Sequence, residues 1–216
     1  MTQSPTPPLS HRRVLLSAAL GASAAWLAGA PLRVQAQTSP PGQAPQPAAP
    51  RAPVELAPFT PAGTAWRPRG TGPLRVFLFR VYDATLWTVS DAANLLAGAT
   101  PYALDITYNT AVKSDDIVNT SIIEMARLRN VSSQATINAW TAAMKRAFPD
   151  VAAGDRLVGV HVPRTGARFF HNGKLTAEVN DVAFSEAFFA IWLDEQTKRP
   201  ELRRALLGLP APQPGG

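Results

Sequence analysis

Residues 74–87 read LRVFLFRVYDATLW. The run is aliphatic and aromatic, yet it carries Arg75, Arg80, Tyr82 and Asp83. As one continuous strand, its side chains alternate between two faces. Leu74, Val76, Leu78, Arg80, Tyr82, Ala84 and Leu86 share one face; Arg75, Phe77, Phe79, Val81, Asp83, Thr85 and Trp87 share the other. Each face holds an arginine, so neither is a plain solvent face. If Tyr82 points inward, the cation expected beside it is Arg80. If the opposite face points inward, the site belongs to Arg75 and Asp83.

The segments around this strand set the fold class. PYALDITYNT (101–110) alternates apolar and polar residues, as a half-buried strand does. SDDIVNTSIIEMARL (114–128) has helical spacing, with acids at its positive end and Ser114 as a possible cap. A second helix follows, capped by Ser132 or Ser133, with Ile137, Trp140, Met144 and Phe148 as its apolar stripe and Pro149 as its stop. Strands are expected over 156–162, 167–172 and 174–179, the last two joined by Asn172-Gly173, a strong hairpin signal. NDVAFSEAFFAIWL (180–193) is apolar nearly all round and reads as a buried helix. A short last helix has Pro200 in its first turn and Gly208 past its end. Strands, two helices, a meander and two more helices make an α+β protein: an antiparallel sheet with helices on one face.

The ends differ in composition. Most of the 21 prolines lie in the first 73 residues. Arg12 and Arg13 precede an apolar, small-residue stretch, and Val34 and Ala36 have the spacing that signal peptidase accepts. Residues 1–36 are therefore expected to be a signal peptide, of ordinary secretory or twin-arginine type, and the protein periplasmic or secreted. Residues 37–62, rich in Pro and Ala, are expected to be a disordered linker. Gly70 and Gly72 are read as a turn, the domain as 63–208 and residues 209–216 as a disordered tail.

Composition also excludes functions. With no cysteine, there is no disulfide, thiol nucleophile or thiolate-bound metal. Removing residues 1–36 takes away three arginines and no acid, so the formal charge falls from +6 to +3. No basic run marks a nucleic-acid surface, and no transmembrane span is expected in the mature chain. His161 and His171 lie on neighbouring strands, but no metal-ligand spacing accompanies them, and they are read as structural. No motif implies a cofactor. Phe77, Phe79 and Trp87, with Phe184, Phe188, Phe189 and Trp192, are read as core or as walls of an apolar cavity.

The succession GTGPLRVFLFRVYDATLW, SDDIVNTSIIEM, MKRAFPDVAAGDRLVGV, FFHNGKLTAEV and NDVAFSEAFFAIWL resembles the chalcone isomerase-like family across Trp66–Gly208. The resemblance implies an open-faced β-sandwich, a large antiparallel sheet under a layer of helices, with a cleft between them. It implies either ring closure on a phenolic chalcone or, as in relatives without that activity, binding of a fatty acid. The family's strand hydroxyl corresponds to Tyr82, its late-helix hydroxyl to Ser185, and its asparagine to Thr120, with Asn119 adjacent. Its tyrosine corresponds to Lys113, so that phenol is missing. Its arginine corresponds to Leu74; either Arg75 or Arg80 takes its place, or the cation is gone. Ring closure needs a held phenolate and a donor for the developing enolate. The departures therefore favour a non-catalytic binder of a small apolar or carboxylate-headed ligand. The alternatives are an isomerase or lyase on an enone-like substrate, with Tyr82 catalytic, and a pocketless interaction protein.

Overall fold

The structure is a computed structural model that describes residues 50–90 and 95–210. The expected signal peptide, the first half of the linker (37–49) and residues 211–216 lie outside the described residues. Six strands form one sheet in sequence order, every neighbouring pair antiparallel: β1 (Arg67–Val76), β2 (Phe79–Thr88), β3 (Tyr102–Tyr108), β4 (Arg156–Val162), β5 (Gly166–His171) and β6 (Lys174–Val179). Helices α1 (Ser114–Arg129) and α2 (Gln134–Ala147) are inserted between β3 and β4, and α3 (Val182–Leu193) and α4 (Pro200–Leu207) follow β6. The α+β reading is correct.

The opening stretch is not one strand. It is a tight hairpin, with Val76 paired to Phe79 and only Phe77 and Leu78 in the turn. Two-residue hairpin turns normally use Gly, Asn or Asp, because a central residue takes positive φ. Here Phe77 takes it, at φ 53°. Without a turn residue to mark it, the reversal reads as continuous strand. Phe77 and Phe79, expected in the core or in the walls of a cavity, are 93% and 76% exposed.

Alternation also fails in β2. Leu74 pairs with Tyr82 but Arg75 pairs with Arg80, so Val81 is an extra, bulged residue. A bulge reverses the face of everything beyond it. Tyr82, Ala84 and Leu86 face the helices, whereas the Arg80 guanidinium turns to Asp83 Oδ1.

Gly70 and Gly72 do not form a turn either. They lie within β1, where α4 crosses closely: a Cβ at Gly70 would sit 2.0 Å from the Ala205 carbonyl oxygen. These glycines serve backbone approach rather than chain reversal. The Asn172-Gly173 turn is as expected, with both residues at positive φ.

Helix ends follow local chemistry with one exception. Ser133 accepts from the Thr136 N–H, one of the two caps expected for α2, and Asp181 caps α3 by accepting from the Phe184 N–H. At α1 the cap comes from elsewhere: Asp150 Oδ1 accepts from the Ser114 N–H, and Ser114 Oγ donates to the Phe148 carbonyl.

The core lies between sheet and helices. It joins Leu86, Tyr102 and Phe169 of the sheet to Met125, Met144, Phe184 and Phe189 of the helices. Helix α3 is buried on most of its circumference, as its composition predicts.

Part of the other face of the sheet is covered as well, by a segment expected to be disordered. Val54–Phe59 forms a short 3₁₀ helix that seats Leu56, fully buried, against Trp87, Ala103, Val158 and Val160. Arg156 ties it down, reaching Glu55 at 3.1 Å and Asp105 at 2.6 Å. The folded unit therefore begins before Gly63. Proline and alanine hid this, because one leucine and one acid carry the contact.

Candidate functional site

Between the inner face of the sheet and helices α1 and α3 lies a cavity of about 490 Å³. It is within the usual range of small-molecule sites, roughly 300–1,000 Å³. Its walls are apolar: Leu104 and Ile106 of β3, Leu157 of β4, Phe169 of β5, and Phe148, Phe188 and Trp192 above them. The lining residues that are solvent-exposed mark the mouth: Val76, Asp116, Thr120, Lys198 and Arg199. The pocketless expectation is set aside by this space.

Two phenols face the cavity side by side. Tyr82 and Tyr108 sit opposite each other on β2 and β3, their rings edge to face at 5.7 Å. Trp192 Nε1 donates to Tyr82 Oη at 2.8 Å, which leaves the Tyr82 proton free to donate. Burial pushes the Tyr82 phenol up to about 12, against the opposing effects of the Trp192 hydrogen bond and the Arg199 charge. Tyr108 is pushed up too, by burial and by Tyr82. Both are neutral donors at physiological pH, not phenolates.

The mouth carries the charges. Lys198 Nζ lies 2.5 Å from Glu124 Oε1, and Glu124 also accepts from Arg127. These cations hold the Glu124 carboxyl below its usual range, outweighing the opposing effect of its partial burial. Arg199 makes no salt bridge among the described residues, so it is the cation at the mouth whose charge is free to meet a ligand. Thr120 and Ser121 add hydroxyls that make no hydrogen bond among the described residues.

Of the residues singled out from sequence, Tyr82 and Thr120 line this cavity. Arg75 and Arg80 are exposed and lie outside the lining, Arg80 engaged with Asp83. Lys113 is exposed and bonded to Asp150, and Asn119 is exposed. Ser185 is fully buried and bonded to His161 Nδ1 at 2.8 Å. His161 also stacks on Tyr102, and burial lowers its pKa. The two histidines do not meet across the hairpin: His161 pairs with Ala167, and His171 with Leu157. Sequence reasoning missed Tyr108, Lys198 and Arg199. Tyr108 was signalled by the alternation of β3, which puts it on the same face as Leu104 and Ile106. Nothing local signalled Lys198 and Arg199, which reach the mouth only because α3 ends beside it.

An antiparallel sheet with helices over one face, enclosing an apolar cavity, is the architecture of an open-faced β-sandwich. The chain belongs to the chalcone isomerase-like family, whose match spans residues 59–208. It is similar to the crystal structure of an Arabidopsis thaliana fatty-acid binding protein, with a TM-score of 0.55 and 9% identity, over 69% of this chain and 90% of that one. It is also 26% identical over 143 residues to an uncharacterized protein of Haemophilus influenzae, covering 66% of this chain and 68% of that protein.

Proposed function

We propose that this protein binds, without catalysis, one single-tailed amphipathic molecule such as a fatty acid. The tail lies in the cavity and the carboxylate lies at the mouth beside Arg199. The observation that carries this reading is the pairing of a largely apolar cavity of about 490 Å³ with a guanidinium at its opening that is unpaired among the described residues. Burying a hydrocarbon tail contributes about 0.8 kcal/mol per methylene. A charge-assisted hydrogen bond to Arg199 orients the head group. The Arabidopsis neighbour that shares the fold is named for fatty-acid binding, which is consistent with this use of the cleft.

Ring closure is disfavoured by the missing second phenol: Lys113 stands at the family's tyrosine position, lies outside the cavity lining and bonds Asp150. A Tyr82 phenol pushed up to about 12 stays protonated near neutral pH and can donate a hydrogen bond to a ligand. The Arg12-Arg13 start and the small residues before position 37 support export to the periplasm, which fractionation of cells expressing the full chain would test.

Calorimetric titration with a medium- or long-chain fatty acid tests the binding reading. One molecule per chain is expected. Ile106→Trp, which fills the cavity from the inner face of β3, should abolish binding while the circular dichroism spectrum is retained. Arg199→Ala should weaken the acid about tenfold and leave the matching fatty alcohol unchanged. Absence of binding by the unmodified protein, or full binding by a folded Ile106→Trp variant, would sink the reading.

A further inference from the structure

The β1–β2 turn presents Arg75-Val76-Phe77-Leu78-Phe79-Arg80 to solvent. Phe77 is 93% exposed, Leu78 92% and Phe79 76%. Three large apolar side chains together on one protruding turn are not an ordinary surface. Phe77 also holds φ 53°, a conformation that glycine adopts freely and a bulky aromatic resists. An exposed side chain kept at a backbone conformation that opposes it gains nothing from packing among the described residues.

We propose that this hairpin tip docks the protein on an anionic lipid bilayer, with the cavity mouth turned toward the lipid. Aromatic and leucine side chains at a protein tip partition into the boundary between head groups and acyl chains. Arg75 and Arg80 flank the apolar tip, where they would meet lipid phosphates as the phenyl rings enter. The charges at this end are mixed. Asp83 bonds Arg80, Glu124 bonds Lys198, and Asp116 faces the mouth, whereas Arg75 and Arg199 make no salt bridge among the described residues. The balance leaves positive charge facing an anionic surface.

The tip is continuous with the cavity. Val76 adjoins the turn and lines the mouth, and Leu74 and Val81 line the cavity directly behind it. A tip seated in lipid would therefore bring the opening to the surface from which an amphipathic molecule enters. A second copy of the chain is a poorer occupant. Stable protein interfaces bury about 800 Å² per partner, and a two-residue turn with its neighbours is too small and convex for that.

This proposal goes beyond ligand binding and is tested separately from it. The chain contains no cysteine, so Leu78→Cys accepts a single polarity-sensitive dye, and Lys174→Cys on exposed β6 is the control. The full chain is mixed with vesicles of phosphatidylcholine containing phosphatidylglycerol, and with vesicles of phosphatidylcholine alone. The expected result is a blue shift at position 78 and none at 174, strongest on the anionic vesicles. Cosedimentation should weaken roughly fivefold for each arginine in Arg75→Gln and Arg80→Gln. It should weaken by more than about tenfold in the combined Phe77→Gly, Leu78→Ser, Phe79→Ser variant, where glycine suits the positive φ of the turn. That variant should still bind fatty acid in solution, which separates loss of docking from loss of the cavity. No shift at position 78, or a shift that grows with protein concentration and needs no lipid, overturns the proposal. The latter result would assign the tip to self-association.

Discussion

Leu56→Ala tests whether the chain before Gly63 is part of the folded unit. Leu56 is fully buried against Trp87, Ala103, Val158 and Val160 on the face of the sheet opposite the cavity. Replacing a buried leucine by alanine costs about 2–5 kcal/mol, less where the surroundings collapse into the space. This cluster has five buried members and is roofed by one short 3₁₀ helix, so partial collapse is expected. The lower part of the range applies, about 2–3 kcal/mol. The neighbouring Val54 is 84% exposed, and Val54→Ala should stay within about 0.5 kcal/mol of the parent. Urea denaturation of the full chain, followed by tryptophan fluorescence, measures both. Trp87 and Trp66 lie at this cluster and report its loss directly. If Leu56→Ala and Val54→Ala have the same midpoint, the segment is not seated in solution. The domain would then begin where its proline-rich composition ends, near Gly63, and the Arg156–Glu55 contact would contribute nothing.

Two further outcomes are expected. Tyr82 has its phenol raised from 10.0 to about 12 by burial, so the unfolded chain ionises first. The stability this group contributes is complete below pH 10 and is lost as pH rises from about 10 to about 12. It totals about 3 kcal/mol at 1.36 per unit. Tyr102 and Tyr108 shift in the same direction. Urea midpoints at pH 9 and 11 should differ less in Tyr82→Phe than in the parent, and an equal difference would contradict the assignment. Gly70→Ala places a methyl 2.0 Å from the Ala205 carbonyl oxygen and must push α4 from β1. A loss of at least about 2 kcal/mol is expected, and an unchanged melting temperature would mean that α4 does not pack there.

The helices and the meander were legible because their signals are local. Ser133 and Asp181 cap their own helices, Asn172-Gly173 makes its own turn, and the apolar run of 182–193 announces a helix buried on most sides. Periodicity and capping involve residues a few positions apart, so the chain alone displays them. The first hairpin was not legible, because Phe77 and Leu78 lack the residues that mark a turn. Nor was the facing of Arg80, because a single bulged residue at Val81 reverses the alternation beyond it.

The candidate site was legible only in part. Tyr82 and Thr120 were named from sequence and line the cavity, whereas Arg75, Arg80, Lys113, Asn119 and Ser185 do not. The cavity's positive charge comes from Lys198 and Arg199, more than 110 residues along the chain from Tyr82. By itself, then, the sequence determined the class of fold, the order of its elements after the first hairpin and its family likeness, because these rest on patterns between near neighbours. The tertiary structure alone decided where the apolar space lies, which cation stands at its mouth, and that three apolar side chains at residues 77–79 are left in water. Those depend on which distant segments are brought together, and no local pattern encodes that.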